Sequence, residues 1–448
     1  MAGQIVVRPC GQLEQYSTSR HSLGIYFGVS TTCRYHVPSE LGNTKALRPA
    51  IEQAVAQVVL KQPFMRVGIT GEDSKQPNFV HVAVIDLSTQ IRWREPIEVA
   101  SADAMLEKQL AVQLGTRWPD LDTRPPWKVT VVPLYARDGP LTALDIVPAP
   151  VPSLSSAGLL TLSEPAVLPP PQEELINFSI SWPFFLRTLW KAFGPDFLKA
   201  KPNPTNVCLF TLPAATSSAL LAAARANATT LTPLYHALTL LSFARRLPAT
   251  TAPKFVHGSS ISARRLVDPA VLDTSSQMAV LVTSLIHPDT AAMTSQFRAR
   301  HGSDLDSLVW QAASTIATSF HDKIASLPRD DVTGLLKWVG DWHAYLRQAD
   351  GKPHDWTWEV SNLGALKAVG DNGWGVTRAV FAQSALMSGP AMTLNLAGVV
   401  GGEISGTMTW QEKTVDAELV ERVVSDLAEW SRRLAEEGLY DLFTCRER

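Results

Sequence analysis

Two runs rich in branched apolar residues, WKVTVVPLY (Trp127–Tyr135) and LTALDIV (Leu141–Val147), are separated only by the turn Arg137-Asp138-Gly139-Pro140. The pattern predicts two strands. The second then dissolves into a Pro/Ser/Leu segment, PAPVPSLSSAGLLTLSEPAVLPPP, that ends at Pro171. Strands that stop this abruptly constrain the fold, because they often deliver a functional loop at the end of a sheet. The segment also separates two differently patterned stretches. Residues 1–171 alternate strand and helix signals, and residues 172–448 carry longer helices and a strand-rich tail.

Helical spacing is clearest at Lys45–Lys61, where Leu47, Ala50, Ile51, Ala54, Val55, Val58 and Val59 recur on one face. Ser101–Leu114 predicts a second helix, with Ser101 as N-cap. Residues 3–11 read as a short strand and a polar turn, and His21–Val37 as a β-rich run. Further strands are expected at Phe64–Thr70 and Asn78–Leu87, with His81 as a partly exposed strand residue. Beyond Pro171, FSISWPFFLRTLWKAFG predicts a buried aromatic helix, followed by a strand at Val207–Leu212 and two helices. The second of these helices is capped by Thr232 with Pro233 at its first position. Phe255–Ile261, Ala279–Ile286 and Thr357–Lys367 read as strands, the last with a Ser-Asn-Leu-Gly turn. Thr290–Ser326 reads as mostly helix. Trp374–Glu412 reads as a three-stranded meander, and an amphipathic helix capped by Asp416 closes the chain. The fold class implied is α+β (an α/β two-layer arrangement).

Composition limits the function classes. At 448 residues, 45% hydrophobic and 18% charged, the chain can fill sizeable cores. A net charge of −2 gives no electrostatic case for nucleic acid or an anionic membrane. No run approaches the roughly 18 apolar residues of a membrane span. The N-terminus lacks the apolar region of a signal peptide, and Cys10, Cys33, Cys208 and Cys445 form no metal-ligand or disulfide pattern. A soluble, cytoplasmic, monomeric protein with no resident metal is the expectation.

The familiar catalytic motifs are absent: no GxGxxG after a strand, no Walker A, no HExxH, no GxSxG. His236, near the start of an otherwise apolar helix, is the histidine of most interest. A buried polar ring needs a partner, so it reads either as a satisfied core histidine or as a base facing a cavity. Arg264-Arg265 follows a strand and reads either as a phosphate-binding pair, suited to coenzyme A, or as a structural arginine tying a strand end to carbonyls.

The segments RPCGQLEQYSTSRHSLGIYFGV, RPPWKVTVVP, LPPPQEELINFSISWPFFLRTLWKAFGP, VSNLG and FAQSALMSGPAMTLNLAGVVGGEISGTMTWQE occur in order along nearly the whole chain. Together they resemble the fungal alcohol acetyltransferase family, within the coenzyme A-dependent acyltransferase superfamily. The opening matches that family's Arg-x-x-Gly-x-x-Glu-x-Tyr start. The resemblance implies two chloramphenicol-acetyltransferase-like domains, here 1–171 and 172–448, with a tunnel between them. It also implies acetyl-coenzyme A as co-substrate and a small-molecule alcohol, polyketide or terpenoid, as acceptor. In that family a His-x-x-x-Asp motif follows the strand described first, its histidine acting as general base and its aspartate fixing the loop.

No His-x-x-x-Asp occurs anywhere in this chain. Pro152 falls where the histidine belongs and Ser156 where the aspartate belongs, and the family's Asp-Phe-Gly-Trp-Gly is represented only by Asn372-Gly373-Trp374-Gly375. Three readings are compatible with this pattern. One is O-acetyl transfer in fungal secondary metabolism with a substitute base such as His236. A second is a cyclase or pericyclase on the same scaffold, and a third is a catalytically inactive acyltransferase-like protein.

Overall fold

The computed structural model describes residues 4–38, 41, 44–136, 141–146, 159–185, 204–287, 290–301, 303–349, 354–367, 374–387 and 389–436. Two six-stranded sheets organise it. The first contains, in spatial order, Gly375–Gln383, Val29–His36, Leu141–Ile146 and Val129–Tyr135, with Ile91–Trp93 and Ile97–Glu98 both parallel to the last. The second runs Thr205–Leu212, Ile404–Gln411, Pro390–Val399, Trp356–Leu366, His257–Ser262, Val282–Ile286.

The first sheet packs on the helix Thr44–Lys61, whose Leu47, Ile51, Val55 and Val59 meet Val129, Val131 and Leu144. Helical periodicity on one element and branched residues on the other make this interface legible from sequence. The second sheet presents Phe210, Leu212, Trp358, Val360, Leu394 and Met408 to the helices Ala214–Ala226, Leu231–Arg246, Ser303–Ser326 and Ala417–Glu436. These two bodies form an N-terminal and a C-terminal lobe.

The Trp374–Glu412 region is not a meander. Its second and third strands pair with each other, but the first, Gly375–Gln383, leaves them and pairs antiparallel with Val29–His36. A strand encoded late in the chain thus completes the sheet of the early lobe. Its Ala379 and Phe381 pack on Ala397 and Val399 of the other sheet, closing the lobes face to face.

Other expectations shift locally. Residues 12–20, for which the sequence predicted no element, form an α-helix together with His21 and Ser22, the first residues of the expected β-rich run. Its start explains the Arg-x-x-Gly-x-x-Glu pattern. Arg8 donates to both oxygens of Glu14 at 2.8 Å, and Glu14 accepts from the Gly11 N–H at 2.7 Å. Arg8 also donates to the Pro169 carbonyl at 2.9 Å. A Cβ on Gly11 would lie 2.2 Å from the Cβ of Pro171, so the close approach of helix and linker requires glycine. The helix carrying His236 starts one turn-fraction earlier than expected, with Thr230 at the N-cap position. Thr232 instead accepts a hydrogen bond from Asn362 at 3.0 Å. The Ser-Asn-Leu-Gly stretch lies within one bulged strand, Trp356–Leu366, with Gly364 at φ +79°.

The strand Leu141–Ile146 is anchored by charge. Arg34 grips both oxygens of Asp145 at 2.8 and 3.0 Å, and Asp145 is only 3% exposed. Arg378, on the exchanged strand, reaches Asp103 of the N-terminal lobe at 2.5 Å and Thr211 and Ser405 of the C-terminal lobe. Replacing Arg34 by Met would strand a buried carboxylate, an effect of about 3–5 kcal/mol. We expect Arg34→Met to lower the urea midpoint accordingly and Arg34→Met/Asp145→Leu to recover most of the loss. Equal instability of the single and double variants would contradict this account.

Candidate functional site

Polar chemistry gathers on opposite faces of one strand, Trp356–Leu366. Alternation along it sends Trp358 and Val360 toward the helices, while Glu359 and Ser361 take the opposite face.

On the helix side lies a cluster of three histidines from three elements. His236 comes from the helix Leu231–Arg246, His257 from a strand and His287 from just beyond the neighbouring strand. Twelve of the sixteen residues of that helix are buried, and His236 has no exposed surface. Hydrogen bonds order the cluster. The indole N–H of Trp358 can only donate, and it meets His236 Nδ1 at 3.0 Å. A neutral His236 therefore carries its proton on Nε2 and donates to Ser259 Oγ at 2.7 Å. Ser259 then donates to His287 Nε2 at 2.9 Å. His287 Nδ1 donates to Ser319, 2.9 Å away, which donates to the Ile316 carbonyl at 2.7 Å. His257 stacks on Trp358 at 4.7 Å with 4° between planes, and its Nδ1 is buried without a partner.

Burial first, and the neighbouring histidines second, hold His236 and His257 well below the usual imidazole range. Burial brings His287 down to about 4. One nitrogen from each ring lies within 4.8 Å of the others, a spacing open to a metal ion. The hydrogen bonds oppose it. Both nitrogens of His236 are already engaged, Nδ1 by the Trp358 N–H and Nε2 by Ser259, so coordination through either would break a hydrogen bond. The cluster is a proton-ordered core network, and His236 takes the satisfied-core alternative of its two sequence readings.

On the inner side, the second sheet turns a polar face to the N-terminal lobe. Thr393, Asn395, Thr407 and Thr409 are buried there. Gln383 of the exchanged strand donates to Asn395 at 2.9 Å, and Thr407 donates to the Phe381 carbonyl at 2.6 Å. A cavity of about 230 Å³ opens beside this seam, lined by Thr18, His21, Tyr26, Phe79, Trp118 and Val280 among others. His21 is fixed at both nitrogens, by Glu72 at 2.8 Å and by the Trp118 N–H at 3.0 Å. The backbone donor fills the Nε2 lone pair, so His21 has no acceptor site left for a substrate proton.

The remaining predicted positions separate. Arg264 donates to the carbonyls of Thr274, Gln277 and Ala279 at 2.9, 3.5 and 3.2 Å, the structural alternative of its two readings. Arg265 is exposed. Pro152 and Ser156 lie outside the described residues, as do Asn372 and Gly373. Trp374 packs edge-on against Tyr35 at 6.2 Å. The histidine cluster and the polar inner face were missed in sequence. The first has no local signal, but the second was visible as the alternation Met392-Thr393-Leu394-Asn395-Leu396. No helix among the described residues is long and apolar enough to cross a membrane.

No protein-family model matches the chain. It is 30% identical to a protein named "Probable alcohol acetyltransferase FCK4" from Fusarium pseudograminearum (strain CS3096), over 97% of this chain and 96% of that one. Among solved structures it is similar to the trichothecene 15-O-acetyltransferase TRI3 of Fusarium sporotrichioides. The TM-score is 0.64 at 11% identity, covering 96% of this chain and 95% of that one. The condensation domain of the Monacolin K polyketide synthase MokA follows at TM-score 0.55 and 11% identity, over 98% of this chain and all of that one. At such identities the two structures establish the two-lobed acyltransferase fold.

The histidine network makes stability pH-dependent. Unfolded histidines take up protons near pH 6.5, whereas these three stay neutral when folded, so unfolding binds protons below that pH. Their contribution is complete above pH 6.5 and is lost as the pH falls toward about 4. Urea unfolding at pH 7.5 and 5.5 should show a marked drop at the lower pH, with a smaller drop in His287→Asn. Chelator should leave both midpoints unchanged. A pH-independent midpoint, or one lowered by chelator, would refute the assignment.

Proposed function

The chain belongs to the alcohol acetyltransferase family, and on that premise we propose that it transfers an acetyl group from acetyl-coenzyme A to a hydroxyl of a small molecule in fungal secondary metabolism. The observation that carries this reading is the similarity to a family member along essentially the whole length of both chains. A two-lobed fold with a polar inner face supports it, because such a face is costly to bury unless it serves ligands or is internally bonded.

The reaction joins the acceptor oxygen to the thioester carbonyl carbon and expels the coenzyme A thiol. The seam between the lobes is the place we assign to it, in keeping with a tunnel between two domains. Holding both reactants there converts an encounter in solution into a reaction within one complex, which can lower the barrier by several kcal/mol. The acceptor class is a small polyketide or terpenoid alcohol, for which the apolar wall formed by Phe64, Phe79 and Trp118 is suited. Family residues that would act from Pro152 and Ser156 are replaced here by side chains unable to act as a general base, which alone should cost roughly 10²–10⁴-fold in rate. That absence favours one second reading, an acyltransferase-like protein that binds coenzyme A without turnover.

Incubation of the purified protein with radiolabelled acetyl-coenzyme A and a metabolite extract of the producing fungus decides between them. Label should move into an extractable ester. Coenzyme A binding by calorimetry with no label transfer would establish the second reading instead.

A further inference from the structure

The inner face of the strand Trp356–Leu366 carries one carboxylate, Glu359, that the fold does not use up. It is 8% exposed. Ser260 donates to its Oε1, while Oε2 has no hydrogen bond among the described residues and is not sealed from solvent. A buried carboxylate normally fills its lone pairs. This one keeps an oxygen open, on the face turned toward the other lobe.

The groups around Glu359 also suit a base. Within electrostatic range of it lies Arg20, in the last turn of the N-terminal helix Gln12–Ser22. The Arg20 guanidinium is clamped between the rings of Tyr16 and Tyr26, at 4.1 and 4.0 Å from their centroids. Such cation–π clamping holds a guanidinium without filling its donors. Arg20 forms neither an ion pair nor a hydrogen bond among the described residues, and its Nε is buried without a partner. It is near enough to Glu359 for its charge to favour the carboxylate form. Tyr26, the other titratable group in range, stays neutral because burial pushes its hydroxyl up to about 12. Burial is the largest influence on Glu359 itself and raises its proton affinity. Desolvation makes this carboxylate a stronger base than one in water, and the Arg20 charge works against that rise and favours the ionised form. Tyr26 also lines the cavity described above, so Arg20 stacks against one wall of the space in which an acceptor would sit, and Glu359 lies within electrostatic range of that wall.

We infer that Glu359 is the general base of this chain's acetyl transfer, replacing the absent loop histidine, with Arg20 as its positioning partner. The inference rests on the acetyl-transfer reading and deepens it. Glu359 Oε2 takes the proton of the acceptor hydroxyl as the acceptor oxygen bonds to the thioester carbonyl carbon, whose π pair moves to oxygen. Collapse of that adduct breaks the C–S bond. The departing thiolate recovers the proton from Glu359, which restores the carboxylate and yields ester and free coenzyme A.

The test follows thiol release from acetyl-coenzyme A, with water alone and with 1-hexanol as probe acceptors, across pH 5–9. Wild type should release thiol, and its rate should fall on an acid limb. Glu359→Gln should reduce kcat by about 10²-fold or more, leave KM for acetyl-coenzyme A within threefold, and remove the acid limb. Glu359→Asp should recover part of the rate. Arg20→Met should move the limb to higher pH, because it removes the charge that favours the carboxylate. A Glu359→Gln rate within threefold of wild type, or an acid limb unmoved in Arg20→Met, overturns the inference and leaves the acetyl-transfer reading standing. Wild type that releases no thiol above buffer with either probe, and transfers no label in the extract, overturns both.

Discussion

Backbone pairing between Gly375–Gln383 and Val29–His36 is the constraint on which the two-lobed arrangement depends. Strand pairing is stiff and directional, so it fixes the C-terminal lobe at a set distance and orientation. The exchanged strand then forms the floor beneath the polar face of the second sheet, with Gln383 bonding Asn395 and Phe381 accepting from Thr407. Arg378 adds a charged tie from the same strand to both lobes. Without this strand the seam would have only one wall.

Trp358 and Glu359 show how a single strand serves two purposes. Trp358 closes a proton-ordered network in a core that excludes water, and every donor in the chain from its indole to Ile316 has an acceptor. One residue later the side chain points the other way, to a carboxylate with an open oxygen. Buried polar networks are stable when filled and costly when incomplete. The filled network lies on the structural face and the incomplete one on the face toward the other lobe. That contrast separates the Trp358–His236–Ser259–His287 chain from the candidate site; His257, whose Nδ1 is unpartnered, stands outside the chain.

Much of the fold was legible where pattern and packing agree. Leu47, Ile51, Val55 and Val59 mark a helix face, and the branched run at Val129–Tyr135 marks a central strand. The helix Gln12–Ser22 was illegible because its sequence, QLEQYSTSRHS, has no apolar stripe. The Arg8–Glu14–Gly11 clamp, rather than hydrophobic burial, defines its start. The exchanged strand could not be read either, since strand signals give location but not partner. The site is less legible still. His236, His257 and His287 meet only through tertiary pairing, while Arg264 ends on carbonyls that no motif predicts. Glu359 sits in an ordinary-looking strand, and only the alternation of buried faces brings it to the seam.

The late strand has a consequence for biosynthesis. The N-terminal lobe's sheet has its other five strands in place once residue 146 is made, but the open flank of Val29–His36 waits for residues 375–383. At about 5–20 residues per second, translation leaves that flank uncovered for tens of seconds. An exposed strand edge is a template for pairing with other chains. The fold therefore carries an aggregation hazard during synthesis that ends only when its last third emerges and covers this edge.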